Sequence, residues 1–322
     1  MRRVSVGAAI ALLLTGLGTE GFAAQRSPIP ISVCENITQP GNYVLTNNLV
    51  LDTSDLNYDD YGQGGNCLVI SSSHVNLNLN GWTITIACPP LSFSYCPSAT
   101  GVPGGIGIEV TSGADQVSIA NGIVDGFVYG IVVEKADHLS VSNLGLRSVV
   151  GLTLEDASHS TLTSISYAGG DTSYHGSNGP ALYVEGGSHN NVSNLSGFDL
   201  GRDLGSGPSG IAIVNSNYNS ISDVNIEDTS CDEAAVLLSS DSSFNIISNS
   251  TLFDECGGGI EIDLGGQHNT ISGNSVIIAS APDVFAAFDQ NSNCGSNVWT
   301  GNSFTNIFSV GQISASPANC AK

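Results

Sequence analysis

A short alternating phrase returns eight times along this chain, and its spacing limits the folds open to it. It runs His74-Val-Asn-Leu-Asn-Leu, Gln116-Val-Ser-Ile-Ala-Asn, His138-Leu-Ser-Val-Ser-Asn and His159-Ser-Thr-Leu-Thr-Ser. It continues as His189-Asn-Asn-Val-Ser-Asn, Tyr218-Asn-Ser-Ile-Ser-Asp, Phe244-Asn-Ile-Ile-Ser-Asn and His268-Asn-Thr-Ile-Ser-Gly. A second phrase is interleaved with it: Gly107-Ile-Glu-Val, Gly130-Ile-Val-Val, Gly151-Leu-Thr-Leu, Ala181-Leu-Tyr-Val, Gly210-Ile-Ala-Ile, Ala235-Val-Leu-Leu and Gly259-Ile-Glu-Ile. Apolar residues alternate in both, the period of a strand with one buried face. Successive first phrases start 21 to 30 residues apart, except for a gap of 42 between His74 and Gln116. The gap of 42 fits two turns of a repeat; the gaps of 30 and 29 fit one turn plus an insertion.

Two or three short strands per repeat, at a variable period, wind a chain into a solenoid. Leucine-rich repeats share the period but want a helical segment and a denser leucine signature, and propeller blades are longer, at about 40–45 residues. A left-handed hexapeptide helix needs a stricter period. The fold class that fits is all-β, a single-stranded right-handed parallel β-helix, which tolerates variable turns and inserted loops. The phrases Asn190-Asn-Val-Ser-Asn, Asn269-Thr-Ile-Ser-Gly-Asn and Gly259-Ile-Glu-Ile extend the case, as do the opening Ile37-Thr-Gln-Pro-Gly-Asn-Tyr-Val-Leu-Thr and the closing Asn297-Val-Trp-Thr-Gly-Asn. From Val33 to Phe304 the chain resembles the pectate-lyase-like superfamily, in its parallel β-helix repeats of carbohydrate-binding and sugar-hydrolase type. That resemblance implies a fold; the superfamily includes lyases, hydrolases, epimerases and non-catalytic proteins, so function must come from the site.

Ahead of the repeats, Arg2 and Arg3 precede an apolar run from Val6 to Leu17 and a small-residue segment ending at Ala23. This reads as a signal peptide over residues 1–23, too short for a membrane anchor, with one β-helix domain and its caps over 24–322. No later stretch is apolar enough to insert in a bilayer, so the expected location is secreted, extracellular or periplasmic. All eight cysteines lie beyond the leader, an even number that favours disulfides over free thiols. No Cys-x-x-Cys occurs, which weighs against zinc. Loop closure favours pairing of near neighbours, and the connectivity itself stays open.

Seven Lys and Arg face 29 Asp and Glu, a net charge of −22. Nucleic acid is excluded as a partner, because phosphate contacts need clustered basic residues. Such a chain suits a calcium-rich exterior. It suits equally a plain need for solubility.

Five of six histidines (His74, His138, His159, His189 and His268) share one repeat position, which Gln116, Tyr218 and Phe244 fill elsewhere. A side chain recurring once per coil is most simply a turn or stacking residue. Asn121, Asn143, Asn194 and Asn249 likewise read as a stacked turn ladder. His175 differs: it lies in an insertion, 169–180, and the next repeat carries its own insertion at 200–209. Two loops leaving one corner of adjacent coils form a wall, and loops on a rigid scaffold concentrate function.

Beside that wall the register gathers carboxylates. Asp199, Asp228 and Asp254 are the candidate catalytic groups; Glu227, Asp232, Glu233 and Glu255 are candidate calcium ligands. Coils stack about 4.8 Å apart, so one step approaches the ~5–5.5 Å of a retaining glycosidase and two steps the ~6.5–9.5 Å of an inverting one. Arg202, His175, Tyr167, Tyr174 and Tyr183 are candidate substrate contacts, the tyrosines by stacking on sugar rings. Glu134, Glu155 and Glu185 end three successive second phrases and form a further carboxylate row, with Lys135 beside it and Asp263 at the same position further along.

The expected function is therefore binding, with hydrolysis as an extension, of an extracellular polysaccharide, neutral or calcium-bridged anionic. A non-catalytic surface or matrix protein is the rival. A lyase or epimerase fits less well, because such enzymes neutralise a uronate with basic groups. The superfamily's lyase arginine signatures and its Gly-His-Gly hydrolase signature are absent.

Overall fold

One coil displays the architecture. Strand Ile211–Val214 leads through a turn to Ser220–Ser222, and two residues, Asp223 and Val224, separate that from Asn225–Asp228. The next coil repeats the plan with Val236–Ser239, Ile246–Ser248 and Thr251–Asp254, each in parallel register with its predecessor. These three columns of strands are called the first, second and third sheets below. The computed structural model describes residues 27–52, 65–87, 105–169, 179–198, 210–228, 234–254, 258–279, 285–306 and 315–316. The leader expected over 1–23 lies outside them.

Alternation fixes the inside of each sheet. Ile213, Leu238 and Ile262 stack in the first, Ile221, Ile247 and Ile271 in the second, and Ile226, Leu252 and Val276 in the third, all buried. Each such side chain contributes about 1.5–3 kcal/mol when taken fully out of water. The core is thus a continuous column, and no coil can bury its apolar face without a neighbour. In the earlier coils, Ser118–Glu134 and Ser140–Glu155 run unbroken through the second, third and first sheets.

Two turns repeat with the coils. Between the second and third sheets one residue takes positive φ: Asn121, Asn143, Ser164, Asn194, Asp223 and Asn249, then Gly273 and Gly301. Asn tolerates this conformation because its short side chain bonds locally; here Asn143 donates to Asn121 and Asn194 to Ser164. Between the first and second sheets an aromatic ladder stands in water. His138, His159, His189, Tyr218, Phe244 and His268 stack with centroids 4.8–5.2 Å apart. The ladder positions carry φ of 57–61°, so one strained turn recurs and its rings fall into register. The recurring histidines are architecture, as their shared repeat position implies.

Next to four of the rings, those of His189, Tyr218, Phe244 and His268, is a buried asparagine that the sequence reading did not single out. Asn219, Asn245, Asn269 and Asn297 each accept, through Oδ1, the main-chain N–H of the asparagine one coil earlier, at 2.8–3.0 Å. Their Nδ2 groups donate to main-chain carbonyls such as Gly187 and Ser216. A turn cannot pair all its peptide groups with the next turn, and this inner ladder supplies the missing partners.

Spacing misled in one place. The gap of 42 between His74 and Gln116 is a single coil, because Asn76 pairs directly with Ser118 and Leu68 with Ile108. The surplus residues lie between strands Thr83–Ile86 and Ile106–Val110. The gaps of 30 and 29 are each one coil with an insertion. Cys34 and Cys67 are disulfide-bonded, and Cys294 is also in a disulfide.

Candidate functional site

The outer face of the third sheet carries a concave surface. One row across the coils reads Ile123, Gly145, Ser166, Ser196; the neighbouring row reads Asp125, Arg147, Ala168, Phe198. Small residues in the first row and at Ala168 lower the floor, while Ile123, Arg147 and Phe198 stand above it. Asn143, Ser164 and Asn194 of the turn ladder form one rim. The resulting groove holds about 540 Å³ and crosses four coils. Phe198 is 46% exposed at its far end, and Arg147 is exposed near its start. Chemically it offers hydroxyls and amides that donate and accept, one aromatic face and one guanidinium.

The sequence-derived candidates distribute differently. Asp228 and Asp254 are register partners on adjacent coils. Asp254, however, is fully buried, on the inner face with Leu252 and ahead of Ile278 in register. A carboxylate enclosed there does not face a polymer on the outside, which corrects its assignment as a catalytic group. Tyr167 is also fully buried, its hydroxyl 2.7 Å from the Val149 carbonyl and 2.9 Å from that of Ser148. It is a core residue lying beneath the groove, and the expectation that its ring stacks on sugar is corrected too. Glu227 is exposed beside Phe198 in register. Asp199, Arg202, His175, Tyr174, Asp232, Glu233 and Glu255 lie outside the described residues. Among the described residues, no group of three His, Cys, Asp or Glu side chains is placed to hold a metal ion.

Tyr183 belongs to a second feature, on the outer face of the first sheet. Glu134, Glu155 and Glu185 form a parallel row over three coils. Partial burial, then the charges of Glu134 and Glu185, hold the Glu155 carboxyl above its ordinary value, while Lys135 opposes the shift. The Tyr183 hydroxyl donates to Glu185 at 3.0 Å, and burial with that bond pushes its pKa up to about 12. Thr153, beside Tyr183 in register, is buried with its hydroxyl unpartnered among the described residues.

Sequence reasoning missed the groove. Its signal was present: aligned third strands bring Gly145, Ser166 and Ser196 into one outward row. Arg147 and Phe198 then flank it. The wall of insertions drew attention to the loops instead.

The model of the family described as right-handed β-helix region matches residues 129–309. No curated protein matches the chain. Among solved structures, the Dettilon tailspike protein gp208 aligns with a TM-score of 0.65 at 13% identity, covering 86% of this chain and 54% of that one. DFA-IIIase from Arthrobacter chlorophenolicus A6, in complex with DFA-III, aligns with a TM-score of 0.57 at 15% identity, covering 86% and 64%. At such identity the likeness is one of fold, and this chain spans only half to two thirds of each of these proteins. Among the described residues no helix is long and apolar enough to cross a membrane.

Proposed function

This chain belongs to the right-handed β-helix family, and from that scaffold we propose that it binds an extended saccharide in the groove of its third sheet. One observation carries the reading: a groove floored by Gly145, Ser166, Ala168 and Ser196 crosses four coils and ends beside the half-exposed ring of Phe198. Aromatic faces stack on the apolar face of a sugar ring, while hydroxyl and amide groups satisfy its oxygens. A complex of DFA-IIIase with DFA-III on the same fold supports the direction without fixing the ligand. We place the protein outside the cytoplasm, a location that its disulfides favour. Binding of oligosaccharides by isothermal titration, with wild type and Phe198→Ala, tests the proposal. The variant is expected to bind about tenfold more weakly. Absence of binding to any glycan in a broad panel overturns it.

Turnover is a second reading, favoured by Glu155 alone. A carboxyl held above its ordinary value between two others one coil away is suited to donate a proton to a leaving group. Release of reducing ends that is lost in Glu155→Gln supports hydrolysis. Intact polymer after prolonged incubation leaves a binding protein.

A further inference from the structure

Building on the saccharide reading of the groove, we infer that Arg147 makes it selective for a sugar unit bearing an anionic group, a carboxylate or a sulfate ester. In a chain with 29 acidic and seven basic residues, an arginine is expected to be found paired. Arg147 is exposed, lines the groove, and makes no ion pair among the described residues. Its register neighbour on one side is Asp125, half-buried, and on the other Ala168, whose methyl leaves the space ahead of the guanidinium open. Phe198 follows one coil after Ala168, about 10 Å from Arg147 at the usual strand spacing.

This arrangement distinguishes ligands. A neutral sugar stacked on Phe198 needs only the hydroxyls and amides of the floor and rim. A planar guanidinium adds two parallel charged donors, which match a carboxylate or sulfate more strongly than the hydroxyls of a neutral sugar. The negative field of the whole protein disfavours an anionic polymer at a distance. Selection at Arg147 is therefore a short-range contact, and Asp125 is the described charge nearest in register that weakens it. Glu227 stands three coils from Arg147 and acts on the Phe198 end.

The test compares three oligosaccharides of one backbone: a uronate form, its carboxyl-reduced neutral form, and a sulfated form. Wild type is expected to bind an anionic form at least tenfold more tightly than the neutral one, and the uronate and sulfate arms identify the source of charge. Arg147→Ala brings all three to the neutral affinity; Arg147→Lys keeps part of the preference. Asp125→Asn widens the preference for the anionic forms over the neutral one. Equal affinities for all forms in wild type, or a preference that survives Arg147→Ala, overturns the selectivity and leaves the groove reading standing. Failure of every form to bind overturns both.

Discussion

Glu155 stands in direct parallel register with Glu134 of the preceding coil, and Glu185 follows on the next. A carboxyl held above its ordinary value of 4.5 binds its proton more tightly in the folded chain than in the unfolded one. Stability therefore falls as pH rises from 4.5 through the folded value, and is regained in acid. Glu155→Gln is expected to raise stability at pH 7 by a few tenths of a kcal/mol, small because the side chain is largely in water. At pH 4 the gain should vanish. Thermal melts at the two pH values check this.

Asn219 bonds to both neighbouring coils, accepting from Asn190 and donating to Gly187 on the preceding one and donating to Asn245 on the next. Asn219→Ala removes that carboxamide and strands buried peptide groups, each worth about 1–3 kcal/mol. A loss of about 3 kcal/mol or more in urea unfolding is expected. Asn143→Gly, in the exposed ladder at φ 53°, should change stability by well under 1 kcal/mol, since glycine adopts that conformation freely.

His159 lies between His138 and His189 in the ring ladder. His159→Ala removes two stacking contacts and is expected to destabilise by about 1–2 kcal/mol. Saccharide affinity, measured on the same sample, should stay at the wild-type value.

Thr153 buries, on a strand, a hydroxyl with no partner among the described residues. Thr153→Val keeps the shape, removes the stranded group and retains a β-branched side chain. It should stabilise the protein by about 1 kcal/mol in chemical unfolding.

The repeat made the fold legible because two-residue alternation and one strained turn recur in every coil, so Ile221, Ile247 and Ile271 align by inspection. The same alternation, applied strictly, would have turned Asp254 inward with Leu252 and Tyr167 inward with Ile165. Proximity to the insertions outweighed that parity, and both were misassigned. The groove was harder to see because concavity is a property of four coils together. Gly145, Ser166 and Ser196 are unremarkable singly, and only their shared register makes a floor. The inner asparagines were visible in the repeated His-Asn, Tyr-Asn and Phe-Asn pairs, but burial, which their neighbours in the sequence do not reveal, decides their role.

Gly145 permits the most direct test of a saccharide groove on the third sheet. A Cβ added there meets Ile123 Cγ1 at 3.5 Å and Ser166 Oγ at 3.6 Å as its nearest neighbours, ordinary contacts. By contrast, a Cβ on Gly130 would lie 2.6 Å from the Gly151 carbonyl oxygen. Gly145→Trp therefore fills the groove from its floor while the coils stay in register. The measurement is the saccharide dissociation constant of Gly145→Trp beside that of wild type, with melting temperatures in parallel. Binding lost at an unchanged melting temperature is the predicted result. Wild-type affinity in the filled groove would contradict the account.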